Sequence, residues 1–198
     1  MADNPKPMGT IGLKHVVLAE VIKDDESGTE YGTVEQMLGA VDATVTPQNT
    51  EAEVQYADDG EYDAVYPDPE SEFRLQMVDI PLDWRVKMFG HRFDSNGVMI
   101  ENATSKQKYF AVGFMSEKAD HTMRYMWFYK VRPAPITENY ATKEGETITR
   151  QTGEVVFSAM KRNSDQEFRA IADEGVNGFT KEKGETFLAS VYEPVSAS

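Results

Sequence analysis

Two runs dense in β-branched and aromatic residues, KYFAVGFM (residues 108–115) and MRYMWFYKV (residues 123–131), stand on either side of the polar stretch SEKADHT. Such runs read as strands, and the polar stretch between them as a hairpin loop. A chain that contains them must build a sheet and cover its apolar faces. Elsewhere the period is two. Ala40, Val41, Ala43 and Val45 are interleaved with Asp42, Thr44 and Thr46, and Ala52, Val54 and Tyr56 alternate with Glu51, Glu53 and Gln55. That spacing predicts strands with one wet face. LKHVVLAEVIK, FRLQMVDI, ETITRQTGEVVFSAM and FRAIADE supply further strands, and FLASVYE a last one near the C-terminus. Pro133 and Pro135 end the second aromatic run.

LDWRVKMF (residues 82–89) is the one segment that reads as a helix. Asp79 is placed to cap it, Pro81 fits its first turn, and Gly90 is the expected stop. At about 100° per residue, Leu82, Val86 and Phe89 share one face, with Trp84 and Met88 nearly opposite. A surface helix needs a single apolar stripe, and this one has two. Either the same chain covers Trp84, or Trp84 meets another subunit, as the enrichment of Trp and Met in interfaces favours. After the helix, Asn96-Gly97 supplies the positive φ angles of a hairpin turn.

Composition narrows the function. Acidic residues number 34 against 20 basic ones, a net charge of −14, which disfavours phosphate binding. The stretch EAEVQYADDGEYDAVYPDPESE (residues 51–72) holds nine carboxylates and no Lys or Arg, and its part from residue 56 to 70 reads as a long exposed loop. Cysteine is absent, so no disulfide or thiolate metal site is expected. No apolar run approaches the ~18 residues of a membrane span, and MADNPKPMGT lacks the apolar stretch of a signal peptide.

Catalytic signals are weak. His15, His91 and His121 are far apart, and none has a second His at the spacing of a zinc helix. His91 and Asp94 could orient each other, but helix stop and turn explain the same residues. No nucleophile elbow, phosphate loop or dinucleotide fingerprint is present, so the chain reads as a non-enzyme with no cofactor and no metal. ADDGEYD lacks the ligand spacing of a calcium loop. KYFAVGF distantly echoes an RNA-binding strand, but aromatics interleaved in a strand are usually core and cross-strand pairs. Asn102-Ala103-Thr104 is a glycosylation sequon, relevant only in a secreted eukaryotic protein.

The order of segments carries a resemblance. GLKHV, EYGT, QYADDGEYD, DIPLDWRVKMFGHRFDSNGV, KYFAVGFMSEKA, MRYMWFYKV and ENYATKEGETITRQTGEVVF span residues 12–157. In that order the chain resembles the major tail (tail tube) protein family of siphophages, the phages of Gram-positive bacteria with long non-contractile tails. It departs from the family at Trp84 and Met88, where small or acidic helix formers are common, and residues 166–198 form a less typical C-terminal segment.

The resemblance implies a single tail-tube domain over residues 1–198, a mainly β sandwich or barrel with one short flanking helix and a long acidic loop. It implies stacked hexameric rings forming a hollow tube around the tape measure protein, in contact with tail terminator and distal tail proteins, and a channel that passes DNA during ejection. The place is the virion tail, assembled in the bacterial host cytoplasm, with no membrane binding. The inter-subunit candidates are then Trp84, Met88, Asp58, Asp59, Glu61, Tyr62 and Tyr66. The lumen-lining candidates are Asp42, Thr44, Thr46, Glu51, Glu53 and Gln55. The alternative is a monomeric β-sandwich that binds or decorates a virion.

Overall fold

The computed structural model describes residues 9–48, 53–57, 60–65, 70–138, 140, 142, 152–176 and 178–195, with the backbone alone at 53–57 and 60–65. The chain begins with the long strand β1 (Thr10–Asp25), which turns into β2 (Gly28–Tyr31), and β3 (Glu35–Gln36) follows. Next come β4 (Ala40–Gln48), β5 (Glu53–Ala57), β6 (Gly60–Val65), β7 (Glu70–Met77) and helix α1 (Leu82–Phe89). The short strands β8 (Arg92–Phe93) and β9 (Met99–Ile100) precede the aromatic strands β10 (Phe110–Lys118) and β11 (Met123–Pro133). β12 (Gly153–Met160), β13 (Arg169–Asp173) and a second helix, α2 (Lys181–Phe187), complete it. The chain is mainly β, as its alternation predicts.

Nine strands form one antiparallel sheet in the order β2-β1-β10-β11-β12-β7-β4, with β3 added on β1 and β13 on β11. β11 sets the shape. One of its edges pairs with β10, while the other is shared: residues 124–128 pair with β13 and residues 130–133 with β12. The sheet therefore divides, and the β12-β7-β4 half lies over the β1-β10-β11 half. Phe73 of β7 stacks on Phe114 of β10 with centroids 5.5 Å apart and the rings 9° from parallel. Phe73, Leu75, Met77, Val112, Phe128, Val155 and Phe157 are fully buried between the halves. The result is a β-sandwich made from an open sheet.

The other face of β1, β10 and β11 is buried as well. Val17, Ala19, Ala111, Tyr125, Trp127 and Tyr129 lie beneath Phe187, Leu188 and Val191. Burial on both faces explains the unbroken apolar runs in the middle of these strands, such as Val16–Ala19 and Trp127–Tyr129. The fit is close. A Cβ at Gly184 would come within 2.4 Å of the Tyr125 hydroxyl, and one at Gly113 within 2.8 Å of the Trp127 ring. The Trp127 indole N–H donates to the Phe187 carbonyl at 2.9 Å. This corrects the expectation of a last strand at FLASVYE and of a single helix. Phe187, Leu188 and Val191 have one-sided, helix-like spacing and serve as a cover.

Three further expectations need correction. Residues 56–70 are not one long loop, because β5 and β6 form an antiparallel hairpin with Glu53 opposite Val65 and Gln55 opposite Asp63. Helix α1 also turns inward the Trp84 and Met88 stripe that was a candidate to meet another subunit, while Phe89 of the other stripe is buried as well. Trp84 and Met88 are buried with Phe89, whereas Leu82 is 47% exposed. The two-striped wheel does not choose a side. The choice is made by tertiary packing, in which the Lys108 amide donates to the Met88 carbonyl at 2.9 Å and ties the helix end to the strand entering β10. Asp79 does not cap the helix. It accepts a bond from the Ile80 amide at 2.8 Å, and Pro81 occupies the cap position. Gly90 ends the helix in the left-handed conformation, as expected, at a site where a Cβ would meet the Lys106 carbonyl at 2.9 Å.

On this packing, Trp84→Ala should cost ~3–5 kcal/mol, while Leu82→Ala should stay within ~0.5 kcal/mol. Urea unfolding of the two variants measures this, and equal losses would reverse the assignment of faces. A second expectation concerns Asp173, which binds Arg124 at 2.6 Å and 2.8 Å and Lys118 at 2.7 Å. Chiefly through Arg124, its carboxyl is held at about 2 against an ordinary value of 3.8. Its contribution to stability is therefore present above pH 4 and lost as the pH falls from about 4 to about 2. Asp173→Asn should flatten the acid limb of the stability profile in that window, and an unchanged slope would show that the group carries none of it.

Candidate functional site

The wet face of the sheet is built by three adjacent strands. Along β4, Asp42, Thr44 and Thr46 are exposed, while Ala43 and Val45 pack against the core. β7 repeats the pattern: Phe73, Leu75 and Met77 point inward, and Arg74 and Gln76 outward. Register aligns these residues into rows. Asp42 lies opposite Gln76, which lies opposite Glu154 of β12; Thr44, Arg74 and Val156 form the next row. The third row runs Thr46, Glu72, Ser158 and then Arg132 of β11.

Charges on this face are mixed. The Arg74 guanidinium donates to Glu72 at 2.5 Å and to Glu154 at 3.2 Å, and Gln76 donates to Thr152 at 3.2 Å. Asp42, Glu72 and Glu154 are set against Arg74 and Arg132, so the face is polar and close to balanced rather than uniformly acidic. The pairs of Arg74 are solvent-exposed, and such pairs contribute little to stability. Alternation in FRLQM was the available signal for Arg74 and Gln76, and the sequence reading of the site missed it.

β4 lies at the end of the sheet and pairs only with β7 among the described residues. A bulge between Ala40 and Asp42 turns Val41 outward, and Pro47 sits opposite Ser71 near the other end. Leu38, Val41 and Val78 are 69%, 51% and 59% exposed at the start of this strand. The Val78 amide donates to the Gly39 carbonyl at 2.8 Å, which holds Val78 beside that edge.

The other site candidates divide cleanly. Glu53 and Gln55 lie on β5, and Glu61 and Tyr62 on β6, with backbone position and register alone described. Glu51, Asp58, Asp59 and Tyr66 lie outside the described residues. Trp84 and Met88 belong to the chain's own core, so the outward apolar patch expected of them is absent.

His91 and Asp94 do not form a pair. The Asp94 carboxylate accepts the amides of Asn96 at 2.8 Å and Val98 at 2.9 Å, and the Val98 bond chiefly holds its pKa below the ordinary value. Within the Asn96-Gly97 turn only Gly97 has a positive φ, at 77°. Asp94 is thus committed to the β8–β9 turn. His91 stacks on Phe89 with centroids 5.7 Å apart, and its Nε2 lies 3.8 Å from Glu101. Most aromatics of the suspected nucleic-acid platform are inside: Phe110, Phe114, Trp127, Phe128 and Tyr129 are buried, and Tyr109 alone of the KYFAVGF rings is exposed, with Lys130 Nζ over it. Among the described residues no group of acidic or His side chains is placed to hold a metal.

Among the described residues, what stands out is a sandwich with an open sheet edge and a polar face beside it. A family model described as phage tail tube protein matches residues 8–197. The chain belongs to that family. No curated protein matches it. The match extends over the segment from 166 onward that looked less typical in sequence, and that segment supplies the cover of the second core. As a phage tail tube protein, the chain is a structural component of the virion tail, and the family implies self-assembly into a tube with other tail components.

Proposed function

We propose that this tail tube protein forms hexameric rings, stacked into the hollow tube of a siphovirus tail, assembled in the host cytoplasm around the tape measure protein. The tube ends at terminator and distal tail proteins and conducts DNA during ejection. The open edge of β4 carries this reading. An unpaired edge is an aggregation liability unless a neighbour covers it, and head-to-tail contacts that close into a ring cover every edge. The exposed Leu38, Val41 and Val78 give such a contact apolar area at that edge.

Within the tube, the face of Asp42, Thr44 and Thr46, joined by Arg74, Gln76 and Glu154, is assigned to the lumen. It is wet, and its carboxylates and guanidinium groups are nearly balanced. It therefore offers DNA no cationic track, and what field it has is screened within about 8 Å at physiological salt.

Negative-stain microscopy of concentrated protein should show rings or hollow tubes. Compact monomeric particles across a wide range of concentration and salt would favour the decoration-module reading instead. The lumen assignment has its own test. Asp42→Lys, Thr44→Lys and Thr46→Lys together, introduced into phage, should leave tubes intact and slow genome ejection, most at low salt. Tubes of normal appearance with unchanged ejection at low ionic strength would place this face outside the channel.

A further inference from the structure

Three described residues other than glycine have a positive φ, and two of them are histidines, His15 at 52° and His121 at 65°. Left-handed backbone is costly for a residue with a side chain, and where it persists its surroundings hold that residue in place. Both histidines border the same space. A cavity of about 570 Å³ opens between β1, the β10–β11 hairpin and α2, and its wall includes His15, Met115, His121 and Met123. Local structure brings them there. His15 sits in the irregularity of β1 between Lys14 and Val17, and a bulge of this kind re-aims a side chain. His121 lies in the turn from β10 to β11, where its amide donates to the Lys118 carbonyl at 2.9 Å.

Register places the two methionines. Met115 lies opposite Tyr125 and Glu117 opposite Met123, so Met115 and Met123 are diagonal neighbours on one face of the hairpin. Diagonal neighbours stand roughly 7–8 Å apart, within reach of long side chains. Both are half-buried at the rim of the second core. Lys14 pairs with Met115 across the ladder, which sets His15 beside that methionine. Glu117 orients the other imidazole, with His121 Nδ1 2.7 Å from its carboxylate. An ionised carboxylate only accepts, so in the neutral ring Nδ1 carries the hydrogen and Nε2 presents a lone pair. A carboxylate behind the ring is the usual support of a metal-binding histidine, because it sets tautomer and orientation.

The donor types decide the ion. Among the described residues no three His, Asp or Glu side chains are placed to hold a metal, so nothing there suits a hard divalent ion. Thioether sulfur is a soft donor, and together with imidazole it selects a soft monovalent ion. We infer that His15, Met115, His121 and Met123 form a binding site for such an ion, Cu(I) or the chemically similar Ag(I). His121 Nε2 and the two sulfurs supply three ligands, and His15 closes the site from β1. The bound ion clips β1 to the β10–β11 hairpin. Spacing along the chain does not announce the site, since its residues come from two neighbouring strands, a turn and a third strand. The inference is independent of the ring and tube reading.

Silver nitrate added to the purified chain in chloride-free buffer should give a complex of one Ag(I) per subunit by native mass spectrometry, and an excess of Zn(II) should not displace it. Met115→Leu with Met123→Leu keeps side-chain volume and should leave the unfolding midpoint of the ion-free chain unchanged. Changing a residue that only supports a ligand costs roughly 10–100-fold in metal affinity, so loss of the ligands themselves should weaken Ag(I) binding at least about tenfold. His121→Asn should weaken it similarly, because Asn accepts left-handed backbone but lacks the imidazole. Met99→Leu, on β9 outside the cavity, should change nothing. Absence of the complex, displacement by Zn(II), retained affinity in either cavity variant, or an equal loss in Met99→Leu overturns the site. If the double methionine variant does not fold, His121→Asn decides alone, since that side chain is 83% exposed and its loss opens no core.

Discussion

Successive residues of a strand turn their backbone N–H and C=O groups to opposite edges, and β11 has to satisfy both edges. Its solution is to pair with β10 on one side and with two different strands on the other. That division is what folds the sheet over itself. It brings Phe73 onto Phe114 and closes the first core, while β13 prolongs the opposite face on which α2 and the tail rest. The lining of both cores, the direction of the polar face and the exposure of the β4 edge follow from where β12 and β13 share one strand.

Polar contacts then lock the pieces around that division. Arg162 is buried, yet its guanidinium bonds Asp165 and Glu193 and lies 4.2 Å from the centroid of the Tyr129 ring. Burial works against its charge, and the bonds it donates to Asp165, Tyr31 and Glu193 outweigh that cost, so its pKa is raised. Asp24 performs the matching task from β1, accepting from Lys130 at 2.6 Å and from the Asn163 amide at 2.9 Å. Together they fasten the C-terminal segment, the loop after β12 and the β1–β2 hairpin to the middle of β11. Removing one partner of such a buried set leaves an uncompensated charge, which is the costly case.

Much of this was legible in the sequence, for identifiable reasons. Alternation at Ala43 and Val45 and the apolar density of KYFAVGFM and MRYMWFYKV are local consequences of burial on one face or on both. Gly90 is legible because a left-handed helix stop has few other solutions. The errors arise where the deciding partner is distant. Trp84 and Met88 were read as outward because the wheel of α1 is ambiguous until the strand entering β10 is in place. KEKGETF has too few apolar residues to announce a helix, and it packs as one because Gly184 admits the Tyr125 hydroxyl. Residues 56–70 looked like a loop because charge masked the second strand, β6, whose Val65 and Asp63 pair with Glu53 and Gln55 of the strand that alternation predicts. Asp94 looked like a partner for His91 only because the two are neighbours in the chain.

The open strand β4 is bounded in a way that bears on how anything can be laid beside it. Proline is tolerated in an edge strand because its missing N–H lies on the unpaired side. A ladder running along that side loses a donor at Pro47, and the bulge at Val41 breaks its regularity at the other end. Between these two points the backbone offers a short frame, from Asp42 to Thr46, with a definite beginning and end. An incoming strand that slips by one residue would turn its side chains to the wrong face and would also overrun one of these stops. Alignment along this edge is therefore written into the main chain itself, independently of the charges that the side chains carry.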